Sequence, residues 1–383
     1  MTKKICIITG TRAEYGLLRN VMREIEKDKS LILQTVIAGM HISKEFGFTK
    51  KQILADGFNI IGEVRMIPAD DTSFSMSKSV GKGILGFSEI LHNICPDIIM
   101  VLGDRTEALA ATIAATYMNI PVAHIHGGDK SKAGLDESSR HAITKFAHIH
   151  FPATSKSASR IKKLGEEAWR IHEVGAPGLD EITTMELISR KNIEQYMQLN
   201  NSEPYLLVVQ HSVSTQPDYA EEQIIQTLEA VLQFEMRKII IYPNSDAGGR
   251  RIIKKLKEYK NYKDIKIIKN LERKIYLNLL KYCKVLVGNS SSGIIEAASF
   301  KIPVVNIGIR QEGRERNKNV IDVPHQKKEI MKAIRKSLFD KKFLSKINRI
   351  KNIYGDGKTS RRIVKILHNI EIDENLIQKS IVY

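Results

Sequence analysis

The chain is poor in cysteine and nearly devoid of tryptophan, with three of the first and one of the second in 383 residues. Cys6, Cys95 and Cys283 stand far apart without C-x-x-C spacing, which excludes a disulfide framework and a zinc ribbon. A reducing, cytoplasmic setting fits that usage. No apolar run approaches the ~20 residues that span a bilayer, so no membrane association is expected. The first apolar run, Ile5–Ile8 after Lys3 and Lys4, is shorter than the ~7–15 residues of a signal-peptide core and reads as a buried strand. RNP-type, zinc-finger, G-x-S-x-G, H-x-x-x-H, H-E-x-x-H and D-x-D strings are also missing, and the strand-to-helix turn at Gly10 carries no G-x-G-x-x-G fingerprint. Their absence argues against specific nucleic-acid binding, a bound dinucleotide, a serine hydrolase and a metal centre. No cofactor and no metal are expected.

Positive charge is what the chain has in excess: 60 Lys and Arg against 43 Asp and Glu, a net +17. The basic residues are spread along the sequence rather than clustered, so a basic cleft for a diphosphate ligand explains them better than a nucleic-acid groove. Because single cores stop growing near ~250–300 residues, two domains are expected. Short β-branched runs alternate with helix-period segments. Lys3–Thr9, Leu31–Ile37, Ile98–Leu102 and Val122–Ile125 read as strands in the first half. Tyr205–Gln210, Lys238–Tyr242, Ile265–Ile268, Val285–Gly288 and Pro303–Ile307 do so in the second. Runs such as IIMVL and LLVVQ lack polar alternation, as strands covered on both faces do. The prediction is an α/β fold of two doubly wound, Rossmann-like domains facing a cleft. Residues 1–178 form the first and 179–369 the second, with a linker region at 179–203. Residues 370–383 read as a surface tail.

Doubly wound sheets bind ligands beyond the carboxyl ends of their strands. The residues there are Gly10-Thr11-Arg12, Gly103-Asp104-Arg105, His126-Gly127-Gly128, His211-Ser212, Pro243-Asn244 and Asn289-Ser290-Ser291. The string GNSSSG at Gly288–Gly293 joins a strand to a helix, whose unpaired N–H groups and dipole suit an anion. Glu296, one turn further, is placed to accept a ribose diol. Arg12 follows a tight turn at Gly10 and offers a fixed cation. Asp104, Asp136 and Glu137 are the acid/base candidates, with His126 nearby. Helix capping is the plainer alternative for each of these carboxylates.

Taken in order, the motifs resemble the hydrolysing UDP-N-acetylglucosamine 2-epimerases of sialic-acid-type sugar synthesis. They are GTRAEYGLL (Gly10–Leu18), CPDIIMVLGDRTEALA (Cys95–Ala110), DESSRHAITKFAH (Asp136–His148), VVQHSVST (Val208–Thr215) and PNSDAGG (Pro243–Gly249). GNSSSGIIEA (Gly288–Ala297), PVVNIGIRQEGRER (Pro303–Arg316) and YGDG (Tyr354–Gly357) complete the set. The resemblance spans residue 3 to about 369. It implies the two-domain GT-B architecture, with a last helix at about 359–369 crossing back onto the first domain. It implies a UDP-sugar substrate and a homo-oligomer, dimer or tetramer. The nucleotide site would be lined by Arg12, His211, Ser290, Ser291 and Arg310, with Glu296 on the ribose and Asn244 and Asp246 close by. Arg105 and Arg140 would bind substrate. Asp104 matches the family's catalytic aspartate, and Asp136 or Glu137 its later carboxylate. The implied reaction removes the C2 proton as the C1–diphosphate bond breaks, and water then adds to the bound glycal. UDP-N-acetylglucosamine giving free N-acetylmannosamine is the first expectation. A nucleotide-linked 2,4-diacetamido-2,4,6-trideoxy sugar of the legionaminic-acid type is the alternative, and a GT-B glycosyltransferase is a more distant one. One departure bears on this choice: His126 stands in HIHGG where sialic-acid members carry glutamate in HIEGG. Either His126, Asp129 or Glu137 then takes over the acid/base role, or the change marks the sister branch.

Overall fold

The computed structural model describes residues 2–44, 47–67, 73–130, 135–199, 203–213, 215–243, 248–269 and 271–382. The chain divides into two compact units. One holds the residues up to Lys130, Leu135–Glu181 and the chain from Tyr354 onward; the other holds Ile182–Ile353.

The first unit is built on β1 (Lys3–Thr9), β2 (Leu31–Ala38), β3 (Ile60–Val64), β4 (Ile98–Leu102), β5 (Val122–Ile125) and β6 (Ile149–Phe151). They form one parallel sheet in the order β3-β2-β1-β4-β5-β6. The second unit repeats the scheme with β7 (Tyr205–Val209), β8 (Arg237–Ile241), β9 (Ile265–Ile268), β10 (Val285–Gly288), β11 (Val304–Ile307) and β12 (Val320–Val323). Its order is β12-β11-β10-β7-β8-β9, again all parallel. The central strands β4 and β7 are buried at every position, which is why their sequences show no polar alternation. Each sheet is covered on both faces by apolar clusters.

Strands β3, β6 and β12 were not predicted. All three lie at sheet edges, where a single neighbour relaxes the demand for an apolar run. β3 and β12 read IIGEV and VIDV and are only partly buried, and β6 is three residues long.

The chain returns to the first unit at Tyr354. Helix Thr359–Asn369 lays Ile363 and Leu367 into the same cluster as Leu18 and Met22 of helix Arg12–Lys27. The segment after it is not a surface tail. Glu374–Ile377 form a helical turn that buries Leu376 completely. Buried Arg170 donates to the carbonyls of Asn375 (2.5 Å), Leu376 (2.7 Å) and Gln378 (3.1 Å). Lys379 pairs with buried Glu166 at 2.7 Å. One apolar side chain plus bonds to backbone carbonyls leave no periodicity to read.

The strand order reverses between β1 and β4 in one unit and between β7 and β10 in the other. Both reversals are switch points, where doubly wound sheets open a crevice at their carboxyl ends.

Candidate functional site

In the first unit, β1 ends at Thr9 and the turn Gly10-Thr11 leads into helix Arg12–Lys27. Thr11 caps that helix by accepting from the Glu14 N–H at 3.3 Å. The Glu14 carboxylate folds back and takes the Gly10 N–H at 2.6 Å, a reciprocal arrangement close to a capping box. Glu14 is fully buried, and burial pushes its carboxyl up to about 7; the Gly10 N–H opposes that shift and nearby Glu107 adds to it. A β-carbon on Gly10 would lie 2.6 Å from Cδ of Glu107, so glycine lets that second buried carboxylate close over the turn. His41, just after β2, bonds Thr9 Oγ1 at 3.1 Å and Thr49 Oγ1 at 2.7 Å. Burial lowers it to about 4, so it is neutral near pH 7. Arg105 turns into this group and donates Nε–H to Glu107 at 3.2 Å.

A second group gathers where β4 and β5 end. Arg140, from helix Leu135–Phe146, is buried and acts as a hub. It donates to Asp104 Oδ2, to Glu137 Oε2 at 3.1 Å and to the Asp129 carbonyl at 3.1 Å. Glu137 also lies 3.3 Å from His141 Nε2. His126 follows β5 with a left-handed backbone (φ 62°), uncommon outside glycine. Its Nδ1 lies 3.0 Å from Asp129 Oδ2, and Ser157 Oγ donates to the other Asp129 oxygen at 2.8 Å. An ionised carboxylate only accepts, so Nδ1 carries the hydrogen and Nε2 is left for proton exchange. His124 plays a different part. It is fully buried, lowered to about 3 by that burial, and bonds the Gly103 carbonyl at 2.7 Å, holding the turn that presents Asp104.

In the second unit the switch point is tied by Asn289. Its Oδ1 accepts the His211 N–H at 2.7 Å, and its Nδ2 donates to the His211 carbonyl at 2.9 Å. The Asn289 carbonyl accepts from Arg310 at 3.2 Å and Gln311 at 2.9 Å. Gly288 makes this closeness possible. Its φ is 133°, and a β-carbon there would overlap the Val209 carbonyl, lying 2.6 Å from its carbon. Ser290 caps the helix that follows by accepting from Ser292 N–H at 3.3 Å. That helix, Ser291–Ile295, is only five residues long, so its dipole is small and exposed N–H groups carry any anion binding. Glu296 is buried and accepts from Arg273 at 2.7 Å and Ser292 Oγ at 2.6 Å. A carboxylate has about four lone-pair sites, which leaves capacity for a diol.

Asp104, Glu137, Arg140 and His126 are thus brought into one group with Asp129, whereas Arg105 joins the Glu14–Glu107 group. Asp136 is exposed in the first turn of its helix, and Arg12 is the first residue of its own. His211, Ser290, Ser291, Glu296 and Arg310 lie at or beside the second switch point. Asn244 and Asp246 fall outside the described residues. Glu14, His41, Glu107, Ser157 and Arg273 were not singled out by sequence. Glu14 had a readable signal, the T-x-x-E spacing behind a strand; His41 and Arg273 had none. Among the described residues no helix is long and apolar enough to cross a membrane.

Comparison with known proteins adds three findings. Residues 23–368 match the UDP-N-acetylglucosamine 2-epimerase family. The chain is 40% identical over 383 residues, all of both chains, to a Legionella pneumophila protein named UDP-N,N'-diacetylbacillosamine 2-epimerase (hydrolyzing). It is 34% identical over 323 residues, 84% of each chain, to the Campylobacter jejuni GDP/UDP-N,N'-diacetylbacillosamine 2-epimerase (hydrolyzing). Among solved structures, Neisseria meningitidis UDP-GlcNAc 2-epimerase bound to UDP-GlcNAc superposes with a TM-score of 0.83 at 19% identity, covering 95% of this chain and 99% of that one. The last shows a shared two-domain fold.

Proposed function

The chain belongs to the UDP-N-acetylglucosamine 2-epimerase family and is a hydrolysing nucleotide-sugar 2-epimerase, and we propose that its substrate is UDP-N,N'-diacetylbacillosamine, a 2,4-diacetamido-2,4,6-trideoxy sugar. The motifs alone put UDP-N-acetylglucosamine first and the diacetamido sugar second. The 40% identity, running the full length of both chains, reverses that order and carries the reading.

In the proposed reaction a base takes the C2 proton while the C1–oxygen bond breaks, and UDP leaves with the bonding pair. The bound glycal then takes a proton at C2 from the opposite face and a hydroxyl at C1 from water. The products are UDP and the free C2-inverted sugar, and no oxidant is consumed. Asp104 and His126 are the proton-transfer groups we assign. Arg140 orients the Asp104 carboxylate, and Asp129 fixes the His126 tautomer so that Nε2 faces the exchange. Glu137, bonded to Arg140, supports the same network, and Asp136 at that helix start is the remaining carboxylate candidate. Arg12 and Arg105 supply positive charge for the substrate.

The leaving diphosphate gains charge in the transition state, so donors aimed at it act there more than in the ground state. Arg310, His211, Ser290 and Ser291 are assigned that role, and Glu296 is assigned the ribose.

The test follows UDP release and sugar NMR in D₂O with UDP-N,N'-diacetylbacillosamine, its GDP counterpart and UDP-N-acetylglucosamine in parallel. The proposal requires fastest release from the first, with deuterium at C2 of the free product. Faster release from UDP-N-acetylglucosamine would return the substrate to the first expectation, and release without deuterium would refute the elimination.

A further inference from the structure

Helix Leu135–Phe146 carries Glu137 and Arg140 near its start and runs into β6 almost at once, with only Ala147 and His148 before Ile149. Helices often satisfy their last carbonyls through a turn led by glycine, and this two-residue junction has neither glycine nor room for such a turn. The partner comes instead from the far end of the chain. Lys379 donates to the carbonyls of Lys145 and Ala147, each at 2.6 Å, across 234 and 232 positions. Its ammonium has one more hydrogen, and Glu166 Oε2 lies 2.7 Å away to take it. A cation there also suits the negative end of the helix dipole.

The group that holds the helix is itself held. Buried Glu166 accepts from Lys145 at 2.6 Å and lies 3.1 Å from His150 Nε2, besides its pairing with Lys379. Asp373 caps the turn Glu374–Ile377 by accepting the Leu376 N–H at 2.9 Å, and Leu376 sits in the apolar cluster of the first unit. Arg170, which grips that turn by its carbonyls, also reaches the His148 carbonyl at 3.4 Å. Two cations therefore tie one short turn to the junction between the helix and β6.

That junction bears on the site. Arg140 lies five residues before Lys145 in a helix of 12 residues, a rise of about 7.5 Å. A helix so short moves as a rod. Sliding or turning it displaces Arg140, and with Arg140 the Asp104 carboxylate that it orients. We infer that segment 373–379 is a strap that seats helix Leu135–Phe146, and that Lys379 is a positioning residue for proton transfer, acting on Asp104 through Arg140. The inference rests on the assignment of Asp104 to proton transfer.

Steady-state UDP release by the full chain tests it, with whichever of the three nucleotide sugars it turns over fastest. The temperature is one at which circular dichroism shows each variant folded. Lys379→Met should lower kcat about tenfold, as fits a helix shifted by a fraction of the ~1 Å that costs a hundredfold. KM should stay within about twofold, because the groups assigned to the leaving nucleotide belong to the second unit. A residue that only stabilised the fold would lower the unfolding midpoint and leave kcat of the folded enzyme unchanged. Lys379→Arg keeps the charge but not the three-way geometry and should lose about threefold. It carries the test if Lys379→Met does not fold. Since Lys379 acts through Arg140, adding either change to Arg140→Lys should cost less than about twofold more, where independent effects would multiply. Multiplying losses would overturn the inference. Asp104→Asn is measured alongside. Normal kcat in the folded Lys379 variants with an inactive Asp104→Asn would sink the strap alone, whereas an active Asp104→Asn would sink the assignment beneath it.

Discussion

Replacing Arg140 tests the organisation of the first-unit group most directly. Its side chain is 3% exposed and serves Asp104, Glu137 and the Asp129 carbonyl, so one residue fixes the ends of β4, β5 and a helix. Each bond to a charged partner contributes about 1.5–3 kcal/mol when its loss leaves a buried group behind. Asp104 and Glu137 are 21% and 30% exposed, so water recovers part of that, and Glu137 keeps His141. Arg140→Met is therefore expected to lose about 2–4 kcal/mol of stability, somewhat less than the ~3–5 kcal/mol for breaking a fully buried ion pair. Arg140→Lys keeps the charge but cannot hold a fork of three acceptors, and should lose about half as much. Activity should respond differently. Both variants let the Asp104 carboxylate drift, and a displacement near ~1 Å costs about a hundredfold in turnover. Urea unfolding and UDP release on the same preparations separate the two effects: stability graded from Arg to Lys to Met, turnover collapsed in both. A folded Arg140→Met enzyme within about threefold of normal turnover would refute the reasoning, because positioning on that scale could not then matter.

Two further outcomes follow from groups the reaction does not consume. The Glu14 carboxyl is held at about 7, against an ordinary 4.5, chiefly by burial. The folded state therefore binds that proton more tightly than the unfolded state across this window, and Glu14's contribution to stability falls as pH rises through it. Urea unfolding of Glu14→Gln should gain on the unmodified protein by about 1–3 kcal/mol between pH 5 and pH 8, and parallel pH curves would sink this account. Gly288→Ala places a β-carbon against the Val209 backbone at φ 133°, where neither strand can move without breaking the β7–β10 pairing. Chemical denaturation should show a loss of about 3 kcal/mol or more, and an unchanged midpoint would mean the turn relaxes freely.

What the sequence made legible depended on how far apart the cooperating residues lie. Interior strands such as β4 and β7 were readable because burial on both faces forces a continuous apolar run, and once a run is placed its end is placed too. That is how Asp104, His126, His211 and Ser290 were found at strand ends. Edge strands β3 and β12 carry no such compulsion, and neither does the final turn around Leu376, held mainly by Arg170 and Lys379 reaching backbone carbonyls. Pairing across the sheet was harder still. Arg105 and Arg140 look equivalent as strings, yet one turns to Glu107 two residues away and the other reaches Asp104 across 36 positions. Likewise, HIHGG identifies His126 but says nothing of the left-handed turn that brings its Nδ1 back to Asp129. Sugar specificity belongs to this second kind of information. None of the eight ordered motifs separates the two sugars that we weigh. Identity along the whole of both chains samples every segment at once, which is why it, rather than any motif, carries the substrate we propose.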